Sequence, residues 1–173
     1  LIFRDLCDLH QIDRKKVTGA GLSCVVSELS DTLCRAVELV IHHRPLVVGA
    51  GIKTGLNINI DDPGQLGADL VVAAVAATAK HPKPLIIFDM GTANTMSVID
   101  RDGRFLGGAI LAGLRLSVDS LSAGTSQLPR IQLAVPPRVV CSNTVECMQS
   151  GALYGPAAML DGLIDRVEEE LGE

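Results

Sequence analysis

The sequence predicts an α/β fold, and three observations carry that prediction. Two short apolar runs, Pro45-Leu46-Val47-Val48-Gly49 and Pro84-Leu85-Ile86-Ile87-Phe88, read as strands bounded by proline, glycine and acid, the second of them buried. A third short run, Ser23-Cys24-Val25-Val26, stands ahead of a segment of helical period, so strand, helix and strand follow one another. That order suggests a parallel pair with a crossover helix. Finally, the chain has three Phe, one Tyr and no Trp, so its core must be filled with Val, Leu, Ile and Ala. Small contact residues suit a sheet flanked by helices.

Composition narrows the class of function. A length of 173 residues allows one domain with a real core or two small lobes. At 47% hydrophobic and 20% charged the chain is globular rather than disordered. The net charge of −5 argues against a nucleic-acid partner. No apolar run reaches transmembrane length and no signal peptide opens the chain, so a membrane partner is not expected. Five cysteines (Cys7, Cys24, Cys34, Cys141 and Cys147) show no CxxC spacing. They read as reduced, mostly core cysteines of a cytoplasmic protein rather than as zinc ligands.

The elements follow in order. Leu1, Ile2, Leu6 and Leu9 open an amphipathic helix partway through its pattern. Ser23-Cys24-Val25-Val26 is a short strand. Ser30 or Asp31 can cap a helix whose apolar positions are Leu33, Ala36, Val37, Val40 and Ile41. The strand at Pro45-Leu46-Val47-Val48-Gly49 leads into a Gly-rich stretch with one lysine, Lys53. That stretch fits neither a Walker A loop nor a dinucleotide fingerprint; both a phosphate cradle and a plain glycine-permitted excursion stay open. Asp62-Pro63 is a good start for a helix over 64–80, apolar almost all round from Leu70 to Ala79 and so buried on more than one side. Asp69 lies near its start, either as an exposed acid favoured by the helix dipole or as a general base.

The most informative stretch is Phe88-Asp89-Met90-Gly91-Thr92-Ala93-Asn94-Thr95. An apolar strand here delivers an acid, a glycine and hydroxyls to a turn. Glycine lets the backbone approach an anion, threonine supplies a hydroxyl and an N–H, and the aspartate can hold a cation. From Thr95 to Ile99 the pattern alternates and meets the hairpin signal Asp102-Gly103. The return strand, residues 104–111, contains Gly107-Gly108, which points to a bulge or to close approach by a ligand. A short helix over 114–121, a loop over 123–129 and a long last helix follow. Asn143 and Glu146 resemble a capping box for that helix, Gly151, Gly155, Ala158 and Gly162 give it a stripe of small residues, and Pro156 should kink it. The chain divides near Lys80-His81-Pro82-Lys83-Pro84 into halves of residues 1–82 and 83–173.

Taken together these segments resemble type III pantothenate kinase, of the actin-like, sugar-kinase-like ATPase superfamily (a ribonuclease H-like fold of two lobes). The resemblance rests on Gly51-Ile52-Lys53-Thr54-Gly55-Leu56-Asn57, Gly67-Ala68-Asp69, Asp89-x-Gly91-Thr92-Ala93-x-Thr95, Gly107-Gly108-Ala109-Ile110 and Thr125-Ser126-Gln127-Leu128-Pro129, in register along the chain, with Asn143-Thr144, Gly151 and Gly155 fitting the last helix. It implies transfer of the γ-phosphoryl group of ATP to the primary hydroxyl of pantothenate, the first step toward coenzyme A. It implies that Asp69 is the base and that Gly67, Ala68, Asp69, Leu70 and Thr125 bind pantothenate. Gly91, Thr92 and Gly108 would bind ATP. Asp89 would hold a monovalent cation, K⁺ or NH₄⁺, while Mg²⁺ accompanies ATP. A homodimer is implied too, consistent with an all-round apolar helix after Asp69.

The sequence departs from the family in three places. The first phosphate motif, Asp-x-Gly-Asn-Thr, does not precede Leu1, so the first lobe is expected to be incomplete by about forty residues of strands and turn. Leu70 stands where many members have Arg, and Ile60 where some have a substrate-contacting Tyr. The competing expectation is a catalytically silent relative serving as a regulatory or dimerisation module.

Overall fold

The computed structural model describes residues 2–49 and 52–172, with Ser27 described by its backbone alone. It is a mixed α/β structure of six strands, β1–β6, and five helices, α1–α5, among the described residues. These group into two compact units: Leu1–Pro82 with Gly103–Phe105, and Lys83–Asp102 with Leu106–Glu173.

In the first unit, α1 (Ile2–Leu9) packs on α2 (Ser27–Ile41). Cys7, Val40 and Ile41 are buried together, with Val17, Ala20 and Val37 against them. The expected parallel pair is present: β1 (Gly21–Ser23) lies beside β2 (Leu46–Val48), Gly21 opposite Leu46 and Ser23 opposite Val48, with α2 as the crossover. Two boundaries differ from expectation. The strand ends at Ser23, and Val25 and Val26 are exposed. The helix begins at Ser27 after Val26, without a side-chain cap, rather than at Ser30 or Asp31. Residues 27–30 add one turn ahead of the stripe of Cys34, Val40 and Ile41, which is buried from either start.

The helix expected over 64–80 is shorter. Asp62 does cap, accepting from the Gly64 N–H at 3.0 Å and from Gln65 Nε2 at 2.8 Å, but it closes only a 3₁₀ turn, Pro63–Gln65. Leu66 and Gly67 are then extended, and α3 runs Ala68–Lys80. Glycines at 64 and 67 make this stretch a poor helix, so the Asp62 bonds are satisfied within three residues. Only Ala74 of α3 is fully buried, and Val72 is exposed, so its apolar surface is half-covered rather than enclosed. β3 (Asn57–Ile58) pairs in parallel with the start of β6 (Arg104–Ala112), Ile58 opposite Phe105.

In the second unit, β4 (Leu85–Met90) and β5 (Ala93–Ile99) form an antiparallel hairpin, and β6 neighbours β5. β5 begins two residues before the expected Thr95, because the Gly91-Thr92 turn is only two residues long. Helices α4 (Leu114–Gly124) and α5 (Thr144–Leu171) pack together over Val118, Ile131, Met148 and Ala152. Asn143 caps α5, accepting from the Glu146 N–H at 3.0 Å as expected. α5 continues without a break through Pro156. All five cysteines are free, but only Cys7 and Cys34 are buried; Cys24 and Cys141 are half-buried and Cys147 is exposed, so the expectation of mostly core cysteines holds for two of them.

Candidate functional site

The hairpin between β4 and β5 carries the Asp89–Thr95 motif. Asp89 lies within β4 directly opposite Thr95, and Met90 opposite Asn94. Directly paired residues share a face, so Asp89 and Thr95 stand side by side on one face and Asn94 on the other. Asp89 is exposed. Thr95 Oγ1 and Asn94 Nδ2 are buried, and neither has a hydrogen-bond partner among the described residues. Such atoms are uncommon, because an unmade bond to a buried polar group costs about 1–3 kcal/mol. Gly91 and Thr92, the turn itself, are exposed.

Two glycines hold this hairpin against its neighbours. A Cβ at Gly108 would run into the Met96 carbonyl on β5. Close approach of two strands therefore accounts for Gly108, and Gly107, with φ +110°, forms the irregularity beside it. Gly113 is the N-cap of α4; its N–H donates to the Thr92 carbonyl at 3.0 Å, and a Cβ there would strike the Gly91 and Thr92 carbonyls. Sequence reasoning passed over Gly113, although a glycine at the junction of a strand and a helix was the available signal.

Thr125 is the C-cap of the same helix. At 1.5 Å per residue, it lies about 18 Å along the axis from Gly113. Its hydroxyl donates to the Leu121 carbonyl at 2.8 Å and accepts from the Leu128 N–H at 3.4 Å, leaving one lone pair.

The other predicted site residues lie in the first unit. Gly67 is the N-cap of α3 and Asp69 its second residue, so the Asp69 carboxylate sits at the positive end of the helix dipole. It is exposed, and its Oδ1 accepts from the Leu70 N–H at 2.9 Å. A Cβ at Gly67 would meet this carboxylate, so glycine there leaves the acid its position. Ala68 lines a cavity of about 180 Å³ together with Thr54, Ile58, Leu66 and Val71. Leu70 and Ile60 are half-buried. Gly51, part of the Gly-rich block, lies outside the described residues.

Residues 1–166 match the model of the type III pantothenate kinase family. This chain belongs to the type III pantothenate kinase family. A type III pantothenate kinase of an Exiguobacterium species is 42% identical over 173 residues, covering 100% of this chain and 68% of its own length. That of Moorella thermoacetica is 40% identical over 172 residues, with 99% and 68% covered. That of Myxococcus xanthus is 39% identical, with 99% and 67% covered. The chain thus spans about two thirds of the length of these curated relatives. In fold it is like the crystal structure of a Campylobacter jejuni protein assigned to the Baf family of transcriptional activators, with a TM-score of 0.59 at 17% identity over 90% of this chain and 68% of that one.

In this pantothenate kinase family member the hairpin fits a cation of the kind that takes oxygen ligands. A carboxylate and an unpartnered buried hydroxyl oxygen are neighbours across two strands. No group of three or more His, Cys, Asp or Glu among the described residues could hold a metal ion. No helix among the described residues is long and apolar enough to cross a membrane.

Proposed function

We propose that this chain transfers the γ-phosphoryl group of ATP to the primary hydroxyl of pantothenate, giving 4′-phosphopantothenate, the first step of coenzyme A biosynthesis. The observation that carries this reading is the Asp89–Thr95 hairpin. It sets an acid, a tight Gly91-Thr92 turn and two unpartnered buried polar atoms within seven residues, inside a family match that spans residues 1–166. The fold is that of the actin-like ATPases, a reading supported by a strand hairpin that presents a phosphate turn against a neighbouring helix N-terminus.

Phosphoryl transfer leaves the protein mainly positioning and charge stabilisation. Thr92 and Gly91 hold phosphate at the turn, and Gly108 lies under the nucleotide. Asp89 and Thr95 would hold K⁺ or NH₄⁺, which when bound offsets phosphate charge; Mg²⁺ enters with ATP. Asp69 accepts the proton of the attacking hydroxyl, and its exposure leaves it free to do so. Gly67, Ala68 and Leu70 contact pantothenate, and the mostly apolar cavity beside Ala68 suits the gem-dimethyl group of the pantoyl half. Thr125, a helix length from the turn, accepts a hydrogen bond from a part of the substrate remote from the reacting hydroxyl. We place the protein in the cytoplasm as a homodimer, with the half-covered apolar surface of α3 supporting a second copy.

The test is product formation by the full-length protein. Pantothenate and ATP are incubated with and without K⁺, and the product is identified by mass. Phosphopantothenate that requires both substrates is the expected result. ATP consumption with a sugar or acetate but not with pantothenate would overturn the assignment.

A further inference from the structure

The start of α5 brings two cysteines together. Cys141 lies two residues before Asn143, the N-cap, and Cys147 is the fourth residue of the helix. The Cys147 thiol donates to the Cys141 carbonyl at 3.3 Å. The Cys141 thiol donates in turn to the Arg138 carbonyl at 3.0 Å. Both cysteines are free; Cys147 is exposed and Cys141 half-buried. The phosphotransfer reading uses neither of them.

Backbone bonds keep the pair in place. The Asn143 side chain accepts from the Glu146 N–H at 3.0 Å and its carbonyl from the Cys147 N–H at 2.9 Å, so the chain between the cysteines is a closed helix cap. The segment leading into it is tied to the same helix: Ser150 Oγ donates to the Val139 carbonyl, and Gln149 Nε2 to the Gln132 carbonyl at 3.0 Å. The thiols themselves are held only by weak S–H donors, so either side chain turns at little cost. A disulfide is short, so the residues it joins must already be neighbours. The Cys147 sulfur touches the backbone of the residue it would join. The other cysteines are placed differently. Cys7 and Cys34 are buried, and the half-buried Cys24 belongs to the first unit, where its thiol donates to the Val26 carbonyl at 3.3 Å.

We propose that Cys141 and Cys147 form a redox modification site, oxidised by a peroxide to a disulfide and returned to thiols by a small dithiol. The exposed Cys147 sulfur attacks a peroxide oxygen, the O–O bond breaks, and a sulfenic acid and one water form. The Cys141 sulfur then attacks the Cys147 sulfur and expels its hydroxyl as a second water. Both thiol hydrogens leave in those waters, and the peroxide takes the two electrons. A reducing compartment makes such a disulfide transient rather than structural. The link closes a ring around the Asn143 cap. The site is independent of the phosphotransfer reading and stands whether or not that reading does.

The experiment treats the folded full-length protein with hydrogen peroxide, alkylates the remaining thiols and digests it with trypsin. Trypsin cuts after Arg138 and Arg166 and nowhere between, so both cysteines fall in one peptide, residues 139–166. That peptide should become lighter by two hydrogens and escape alkylation, with fragmentation placing the link between Cys141 and Cys147. Dithiothreitol should restore the hydrogens. Cys141→Ser should stop at the Cys147 sulfenic acid, which dimedone captures. Cys147→Ser should form no link and take up less dimedone at Cys141. A wild-type peptide that keeps both hydrogens, or that gains oxygen on Cys147 without the link, overturns the proposal. A disulfide from either cysteine to Cys24 overturns it as well. The wild-type digest decides on its own if a variant does not fold.

Discussion

Gly113 donates its N–H to the Thr92 carbonyl at 3.0 Å, at a point where no side chain fits between α4 and the hairpin turn. The first turn of a helix and the Gly91-Thr92 turn are thereby held as one piece. Replacing Gly113 by Ala forces a methyl against two backbone carbonyls, which cannot swing aside as a side-chain end can. Overpacking of this kind costs about 1–3 kcal/mol. Gly113→Ala should lower the melting temperature and also raise the KM for ATP, because the turn must shift. A stable Gly113→Ala enzyme with an unchanged KM would mean that the turn does not depend on this contact.

Asp69 is assigned the proton of the acceptor hydroxyl, and its carboxylate is exposed at the start of α3. Asp69→Asn keeps the shape and removes the base. Turnover should fall about 10²–10⁴-fold, the usual worth of general-base assistance. ATP affinity should stay within twofold. Full turnover in this variant would release Asp69 from the role.

Thr92 is exposed in the two-residue turn, while its carbonyl is already bonded to Gly113. Thr92→Val preserves the branched shape and deletes the hydroxyl. ATP binding should weaken about tenfold, and pantothenate binding should change less. Calorimetry showing the reverse order would exchange the two ligands between their proposed residues.

Asp89 and Thr95 face each other across the hairpin. Asp89→Ala should abolish both activity and the response to K⁺. Thr95→Val should raise the K⁺ concentration needed for half-maximal activity while leaving the fold intact, because its Oγ1 has no hydrogen-bond partner among the described residues. K⁺ activation that persists in Asp89→Ala would place the cation elsewhere.

Gly108 tests packing against ligand contact. Its missing side chain is accounted for by the Met96 carbonyl. Gly108→Ala should therefore destabilise the protein without nucleotide, by about 1–3 kcal/mol. Equal stability with weakened ATP binding would instead assign the glycine to the nucleotide alone.

Local chemistry made much of this protein readable from its residues. The strand–helix–strand order around α2, the strand and turn at the Asp89 motif, the Asn143 cap and the long last helix all follow from period, caps and turn residues, which act over a few positions. The ordered blocks from Gly51 to Pro129 carried the family as well. Element starts were less legible. α2 begins at Ser27 with no side-chain cap to mark it, and the helix after Asp62 is delayed to Ala68 because two glycines let a 3₁₀ turn take the capping bonds.

Burial and cross-strand register belonged to the tertiary structure alone. No local pattern distinguishes the enclosed Asn94 from the exposed Thr92 two residues earlier, or sets Thr95 beside Asp89 rather than beside Met90. Sequence specified which chemical groups the hairpin carries, because composition and spacing are local properties. Packing decided which of those groups lose water and which stand together, because both depend on strands and helices brought in from elsewhere in the chain.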